Sequence, residues 1–510
     1  MIMKQNISKL LIAALLALAG INACKEKLDV LDLNNPTIDS YFKTVSELQN
    51  GVNAIYSSLR GGALVGREWF FLHDMRSGET APGGPQLEAP RAELLLQTNG
   101  APSNGVLTSV WNGAYQMINR ANMVLSKAPG VTDTTALSDQ LVGEAKFLRA
   151  WAYFELVSQW GDVPLYTEPV TSHTNYKGKS PATEIYTLII SDLTEAAQAL
   201  PETPSQKGRA TKGAANALSG RVQMQKGDYA AAKEALLKVV NSGKYTLVAN
   251  FLHNFDGDVM SNGQRVAEGH EFNSESVFEV AFLDKGDNNF NWAYNGEGIS
   301  SPVSTVRNQE YGIVWGNVIP SDRLLNEFEA NDPRYKFTFY EPGDQILTFE
   351  GTKPGKTLTA EDMNVAPSIR NGISMKRVFR KYSIYDWDDN GFHPGGINQR
   401  LIRYAHVLLM LAECEAELGD FAKAAEYINT VRARPTVNMP PVALTSKEQA
   451  LKAVMHERAV ELGIESVNNI DILRWRKQGY FPSIMPDPRE GQQELLPIPS
   501  SETAANPLVK

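Results

Sequence analysis

Two widely separated stretches carry the same pattern, and together they constrain the fold more than anything else in the chain. Gly220 to Val239 contains Gly227-Asp228-Tyr229-Ala230-Ala231-Ala232, and Ala412 to Val431 contains Gly419-Asp420-Phe421-Ala422-Lys423-Ala424. Each reads as a helix, a Gly-Asp-aromatic turn and a second helix. A small residue, Gly220 or Ala412, stands seven residues before the turn glycine, where close helix packing leaves little room for bulk. Ala232 and Ala424 take matching places after the turn, followed by Leu236 and Val239, or Ile428 and Val431. One such pair cannot bury its apolar face alone, so pairs must stack, and two distant copies imply others that have diverged.

The pattern resembles the tetratricopeptide repeat. Further amphipathic helices follow from apolar residues at spacings of three and four: Val45 to Leu59, Val106 to Leu125, Leu141 to Trp160, Thr183 to Leu200 and Lys447 to Leu462. Gly61 to Gly105 and Phe251 to Gln399 differ in kind. They are rich in Gly, Pro, Asn and aromatics and hold only short strand-like runs such as Ser276 to Phe282. Long irregular segments on a rigid scaffold are usually functional. The predicted class is therefore mainly α: a tetratricopeptide-repeat-like helical scaffold with long irregular loops and a few short strands.

The amino terminus reads as a leader and not as part of that scaffold. Lys4 and Lys9 give a basic start, Leu10 to Ile21 are almost wholly apolar, and Ile21-Asn22-Ala23-Cys24 closes the run with a small residue before a cysteine. About a dozen apolar residues are too few for a span, which needs ~20, but suit a signal-peptide core. The setting predicts a bacterial lipoprotein processing site with Cys24 as the lipidated residue. Since each buried methylene is worth ~0.8 kcal/mol, several acyl chains would anchor the protein firmly.

The net charge of −9 argues against a nucleic-acid partner, because phosphate binding needs a concentrated basic face. A neutral ligand suits the chain better. With Cys24 lipidated, Cys414 is left alone, so the fold must be held by burial; in the run Leu408 to Cys414 it reads as a small buried hydrophobe.

Several phrases, read together, resemble the SusD/RagB family of outer-membrane nutrient-binding lipoproteins. They are Asn35-Pro36, Trp111-Asn112-Gly113-Ala114-Tyr115 with Asn119 and Asn122, Glu144 to Ala150, and Gln159-Trp160-Gly161-Asp162-Val163-Pro164-Leu165. Ile402 to Ala405, Leu409 to Glu413, Asn429 to Arg434, Glu457-Arg458, Asp471 with Arg474-Trp475, and Pro497-Ile498-Pro499 continue the match. His406 and Asn468 depart from it at scaffold positions. The resemblance implies a lipid-anchored protein on the cell surface of the outer membrane. It would capture oligosaccharides or related nutrients, and would sit as a lid on a SusC-like TonB-dependent transporter. Implied organisation is a signal peptide over 1–23, a lipidated tether over 24–40, a helical half over 41–250, and a second half over 251–510. That second half holds binding loops over 251–399 and returning helices over 400–480, the two halves forming one compact unit.

A neutral sugar offers apolar ring faces and hydroxyl edges, so its site needs flat aromatic surfaces ringed by amides, carboxylates or guanidinium groups. Asn291-Trp292-Ala293-Tyr294-Asn295 and Tyr311 to Asn317 have that mixture, with glycines beside the aromatics, and the run Trp69 to Glu79 offers Trp69, Asp74 and Arg76. The candidate ligand-binding residues are Trp292, Trp315, Tyr294, Tyr311, Asn291, Trp69, Asp74 and Arg76. Trp111, Trp151, Trp160 and Trp475 fall in helical phrases and read as structural. Asp386, Asp388 and Asn390, with Gly391, fit the opening of a calcium loop, but Ile397 stands where the bidentate Glu belongs. No other cofactor is expected.

Enzyme motifs fail at specific positions. His456-Glu457 begins an HExxH-like helix but Val460 takes the second ligand place, and the Gly351 to Thr357 run is one residue short of a phosphate loop. No Gly-x-Ser-x-Gly elbow occurs. Binding without chemistry is the leading expectation. The alternatives are a surface glycoside hydrolase, which needs two carboxylates about 5 to 10 Å apart in its cleft, and a repeat adaptor holding a protein in its helical groove.

Overall fold

The structure is a computed structural model, and it describes residues 41–96, 100–131, 133, 136–261, 264–283, 305–313, 315–346, 356–383 and 396–510. Helices begin where side chains can cap them. Thr44 accepts from the Glu47 N–H, and Glu47 returns a bond to the Thr44 N–H, which starts the helix Val45–Arg60. Asn104 caps Gly105–Lys127, Thr211 caps Lys212–Lys226 and Ser446 caps Lys447–Leu462.

The two repeat-like pairs are built alike. Lys212–Lys226 ends at Gly227 with φ +83°, and Tyr404–Leu418 ends at Gly419 with φ +91°, a left-handed bend that glycine adopts without strain. The next residue caps the second helix each time: Asp228 accepts from the Ala231 N–H, and Asp420 from the Lys423 N–H. A Cβ on Gly220 would lie 2.5 Å from Leu236 Cγ, which is why that position carries no side chain. Tyr404–Leu418 packs against Tyr229–Asn241, so the two pairs meet directly.

Ala136–Trp160 lies between Gly105–Lys127 and Ala182–Ala199 and buries nearly every side chain from Leu141 onward. It is covered on nearly every side, and its buried Glu144 and Arg149 are paired with Arg209 and Asp192. Trp111, Trp151, Trp160 and Trp475 are buried, as expected of structural tryptophans, and so is Cys414, whose thiol is pushed well up by burial. One large apolar cluster runs from Val45 to Leu496 through both halves of the chain. No described helix is long and apolar enough to cross a membrane.

The described strands form seven two-stranded antiparallel pairs. Ser276–Val280 pairs with Gln399–Arg403, bringing two distant segments onto the helices. Beneath that pair lies an ionic network out of water. Arg403 reaches Glu275 and Glu461 at 2.7 Å and Glu465 at 2.6 Å. Arg434 joins Glu275 and Glu461, Arg334 joins Asp332, Glu457 and Glu461, Lys381 joins Glu465, and Arg432 joins Glu457. These five cations face five carboxylates. Burial alone would raise the Glu461 pKa, but the guanidiniums of Arg434, Arg403 and Arg334 hold it far below the usual carboxylate range.

The irregular stretch Gly61 to Gly105 contains two helices that periodicity did not indicate, Glu68–Asp74 and Ala89–Leu95. The first has every residue buried, so it presents no polar face from which a period could be read.

Candidate functional site

Thr80–Pro82 pairs antiparallel with Val318–Pro320, with Ala81 opposite Ile319, and Gly83 N–H extends the ladder to Asn317 O at 2.9 Å. The chain beyond that pair can come close only because it has no side chain. A Cβ on Gly83 would lie 2.3 Å from Gly316 O, and one on Gly84 would lie 2.6 Å from Trp315 O. Gly316 itself has φ +54°, and a side chain there would strike Val365. Val365 belongs to a small apolar cluster with Ile319, Tyr340, Ile346, Leu358, Met363 and Val378. The Trp315-Gly316-Asn317 segment is thus clamped between a glycine-bearing strand end and an apolar wedge.

In front of the clamp opens a cleft of about 130 Å³ lined by Arg67, Gln86, Glu88, Arg91, Glu310, Trp315 and Asn317. Arg67 reaches Glu68, Glu88 and Glu310, each at 3.3 Å. Arg91 bonds Glu68 at 2.5 Å and also pairs with Glu88. Both guanidiniums lie over the Phe71 ring, at 5.7 and 4.7 Å. Asn317 donates from Nδ2 to Glu310 at 2.8 Å. Burial pulls the Arg91 guanidinium below its usual pKa, and Glu68 opposes that pull. Trp315 is half-buried, while Gln86 and Glu88 are exposed at the rim. The arrangement offers an aromatic face and fixed donors and acceptors on a polar floor. Both cleft carboxylates are engaged by arginine, and among the described residues no group of three or more His, Cys, Asp or Glu could hold a metal ion.

Of the residues expected to bind ligand, Trp315 is in the cleft, and Asn317, from the same run, is with it. Trp69, Asp74, Arg76 and Tyr311 are not among its lining residues. Trp69 is 1% exposed and donates from Nε1 to Glu155 at 2.9 Å, sharing that carboxylate with His73 at 2.7 Å. Asp74 is fully buried, bonded to Arg307 at 2.6 Å and accepting from the Tyr311 hydroxyl at 3.1 Å. Tyr311 packs against Phe70, Phe71 and Phe379. Arg76 is buried, which together with Arg489 and Arg476 nearby holds its pKa well down, and its Nη2 lies 3.4 Å from Glu494 O. These side chains are buried in the core and do not line the cleft. Trp292, Tyr294 and Asn291, the calcium-loop residues Asp386, Asp388 and Asn390, and Cys24 lie outside the described residues.

Sequence reasoning missed Arg67, Gln86, Glu88, Arg91 and Glu310. The one local signal was the Gly83-Gly84 pair, which marks a close backbone approach.

A family signature described as "SusD family" matches residues 274–480, and one described as "Starch-binding associating with outer membrane" matches residues 94–224. SusD-like protein P2 of Formosa agariphila is 25% identical over 488 residues, covering 92% of each chain. SusD-like protein P38 of the same organism is 27% identical over 496 residues, 91% of this chain and 90% of that one. Among solved structures, a SusD superfamily protein from Bacteroides vulgatus superposes with a TM-score of 0.72 at 23% identity, covering 92% of this chain and 99% of its own. A laminarin-binding SusD-like protein gives 0.69 at 25% identity, covering 91% and 98%. The repeat-like helical scaffold, the order of the matched segments and the near full-length coverage agree: the chain belongs to the SusD/RagB family.

Proposed function

We propose that this protein is a carbohydrate-binding protein of the outer membrane that captures oligosaccharides without altering them and passes them to a SusC-like TonB-dependent transporter. The observation that carries the reading is the cleft at Trp315, where one half-buried indole stands beside Asn317 and two arginines held in place by Glu68, Glu88 and Glu310. Sugars bind such surfaces through apolar ring faces on the aromatic and hydroxyls on the fixed polar groups. The family signature described as starch-binding and the laminarin-binding structural relative support the ligand class. The relatives reported above are named as SusD-like proteins and not as enzymes.

In this reading Cys24 carries lipid, the protein faces outward from the cell, and the repeat-like helices are the side that meets the transporter. Calorimetric titration of the soluble chain against α- and β-glucan, galactan, mannan and host-type oligosaccharides tests capture. Saturable binding to one class, lost in Trp315→Ala with unchanged melting, is the expected result; silence across all classes would refute the reading. Cys24→Ser should move the protein from the membrane to the soluble fraction, and co-purification of a transporter with the lipidated form tests the hand-over.

A further inference from the structure

A second cavity, of about 160 Å³, shares no residue with the Trp315 cleft and is lined by Tyr115, Ile118, Asn119, Tyr166, Val170, Tyr176 and Glu502. The floor is rigid. The Tyr115 and Tyr166 rings meet edge to face, 5.9 Å apart at 85°, and Tyr115 also leans on Trp111 at 5.0 Å. The Tyr115 hydroxyl donates to Pro164 O at 2.8 Å, and the Tyr166 hydroxyl accepts the Lys177 N–H at 3.1 Å.

Polar groups stand around this aromatic floor. Asn119 accepts the Val170 N–H with its oxygen at 2.8 Å, leaving its amide nitrogen to donate. Glu502 comes from the far end of the chain and is fixed by the Trp111 indole N–H at 3.2 Å and the Asn506 amide at 3.1 Å, one bond to each oxygen, with lone pairs remaining. The flanking charges restrict the occupant. Glu502 disfavours an anion, while the Lys177 ammonium, 5.9 Å from the Tyr166 ring, disfavours a cation there. An angled pair of tyrosine rings with a donor, an acceptor and opposed charges at its edges suits a small neutral hydroxylated ring.

We propose that the Tyr115–Tyr166–Tyr176 cavity is a second sugar site, which takes a single neutral pyranose. The ring face lies against the tyrosines, and hydroxyls meet Asn119 and Glu502.

The test removes the first site so that the two readings fail separately. Saturation-transfer NMR of the Trp315→Ala protein with methyl glucosides, galactosides and mannosides should still show a bound hexoside. Adding Tyr176→Ala should weaken that binding about tenfold. Val170→Trp, which fills the cavity from its rim, should abolish it, and circular dichroism should show both proteins folded. Loss in the filled variant alone also supports the site. Absence of saturation transfer in Trp315→Ala overturns the proposal, as does transfer unchanged by both cavity substitutions. Calorimetry of the wild-type chain with oligosaccharides reports on the Trp315 cleft independently.

Discussion

Gly84→Ala is the sharpest probe of the Trp315 cleft, because it adds one methyl group at a point whose neighbours are known. The new carbon would lie 2.6 Å from Trp315 O and 3.0 Å from Asn317 Oδ1. Non-bonded contacts are comfortable near 3.5 Å, so the Trp315 carbonyl must retreat by roughly 0.9 Å. It cannot retreat freely: Val365 stands behind Gly316, and the Gly83 N–H bond to Asn317 O ties the segment to the strand. Overpacking of this kind costs about 1–3 kcal/mol of stability. The displaced Asn317 would also disturb Glu310, which it bonds at 2.8 Å and which in turn holds Arg67. A shift of nearly an ångström in both the aromatic and its polar neighbours should weaken glycan binding by about tenfold or more, about 1.4 kcal/mol. Calorimetric titration against the best-binding oligosaccharide reads the affinity, and scanning calorimetry reads the stability. Gly130→Ala is the control, since a Cβ there meets nothing within 4 Å. A lowered melting temperature with wild-type affinity would refute the assignment of residues 315–317 to the binding surface.

Two further outcomes concern the buried charges. Glu461→Gln removes the carboxylate shared by Arg334, Arg403 and Arg434, leaving three buried guanidiniums without it; urea unfolding should show a loss of about 3–5 kcal/mol, and a loss under 1 would mean the network contributes little. His406 is held neutral by burial and by Arg458, so its folded pKa lies well below 6.5; the unfolded chain takes up the proton first, and stability should fall as pH drops below about 6.5, by up to ~1.4 kcal/mol per pH unit. His406→Gln should flatten that slope between about pH 6.5 and 5.5. An unchanged slope would assign the pH dependence to other groups.

The helices were legible because their signals are local. Asp228 and Asp420 sit at the turns as caps, and Lys447 to Leu462 begins and ends where the pattern put it. Glu68–Asp74 was not legible: its seven residues are buried on every side, so Trp69-Phe70-Phe71-Leu72 shows no period. The same burial explains why Trp69, Asp74 and Arg76 lie in the core and not in the cleft. Trp69, Asp74 and Arg76 have the composition of a sugar site, but composition carries no orientation, and Glu155, Arg307 and the residues that turn them inward come from distant parts of the chain. Trp315 differs because Gly316 and the Gly83-Gly84 pair force its segment to the edge of a strand pair. The ionic network was invisible for a related reason. Arg403, Arg434, Glu275 and Glu461 come from four separate segments, and no local pattern pairs them.

Residues 494–509 return to the first half of the chain and close it. Leu496 N–H bonds Gln159 O at 2.8 Å, the Trp160 indole bonds Pro497 O at 2.9 Å, Ser500 N–H bonds Pro102 O at 2.7 Å, and Asn506 bonds Lys177 O at 2.9 Å. Trp111 and Trp160, at the base of the amino-terminal helices, are therefore covered by residues 494–509. Without those residues the two indoles lose their covering contacts, so the packing of the first half is completed only by a segment from the second.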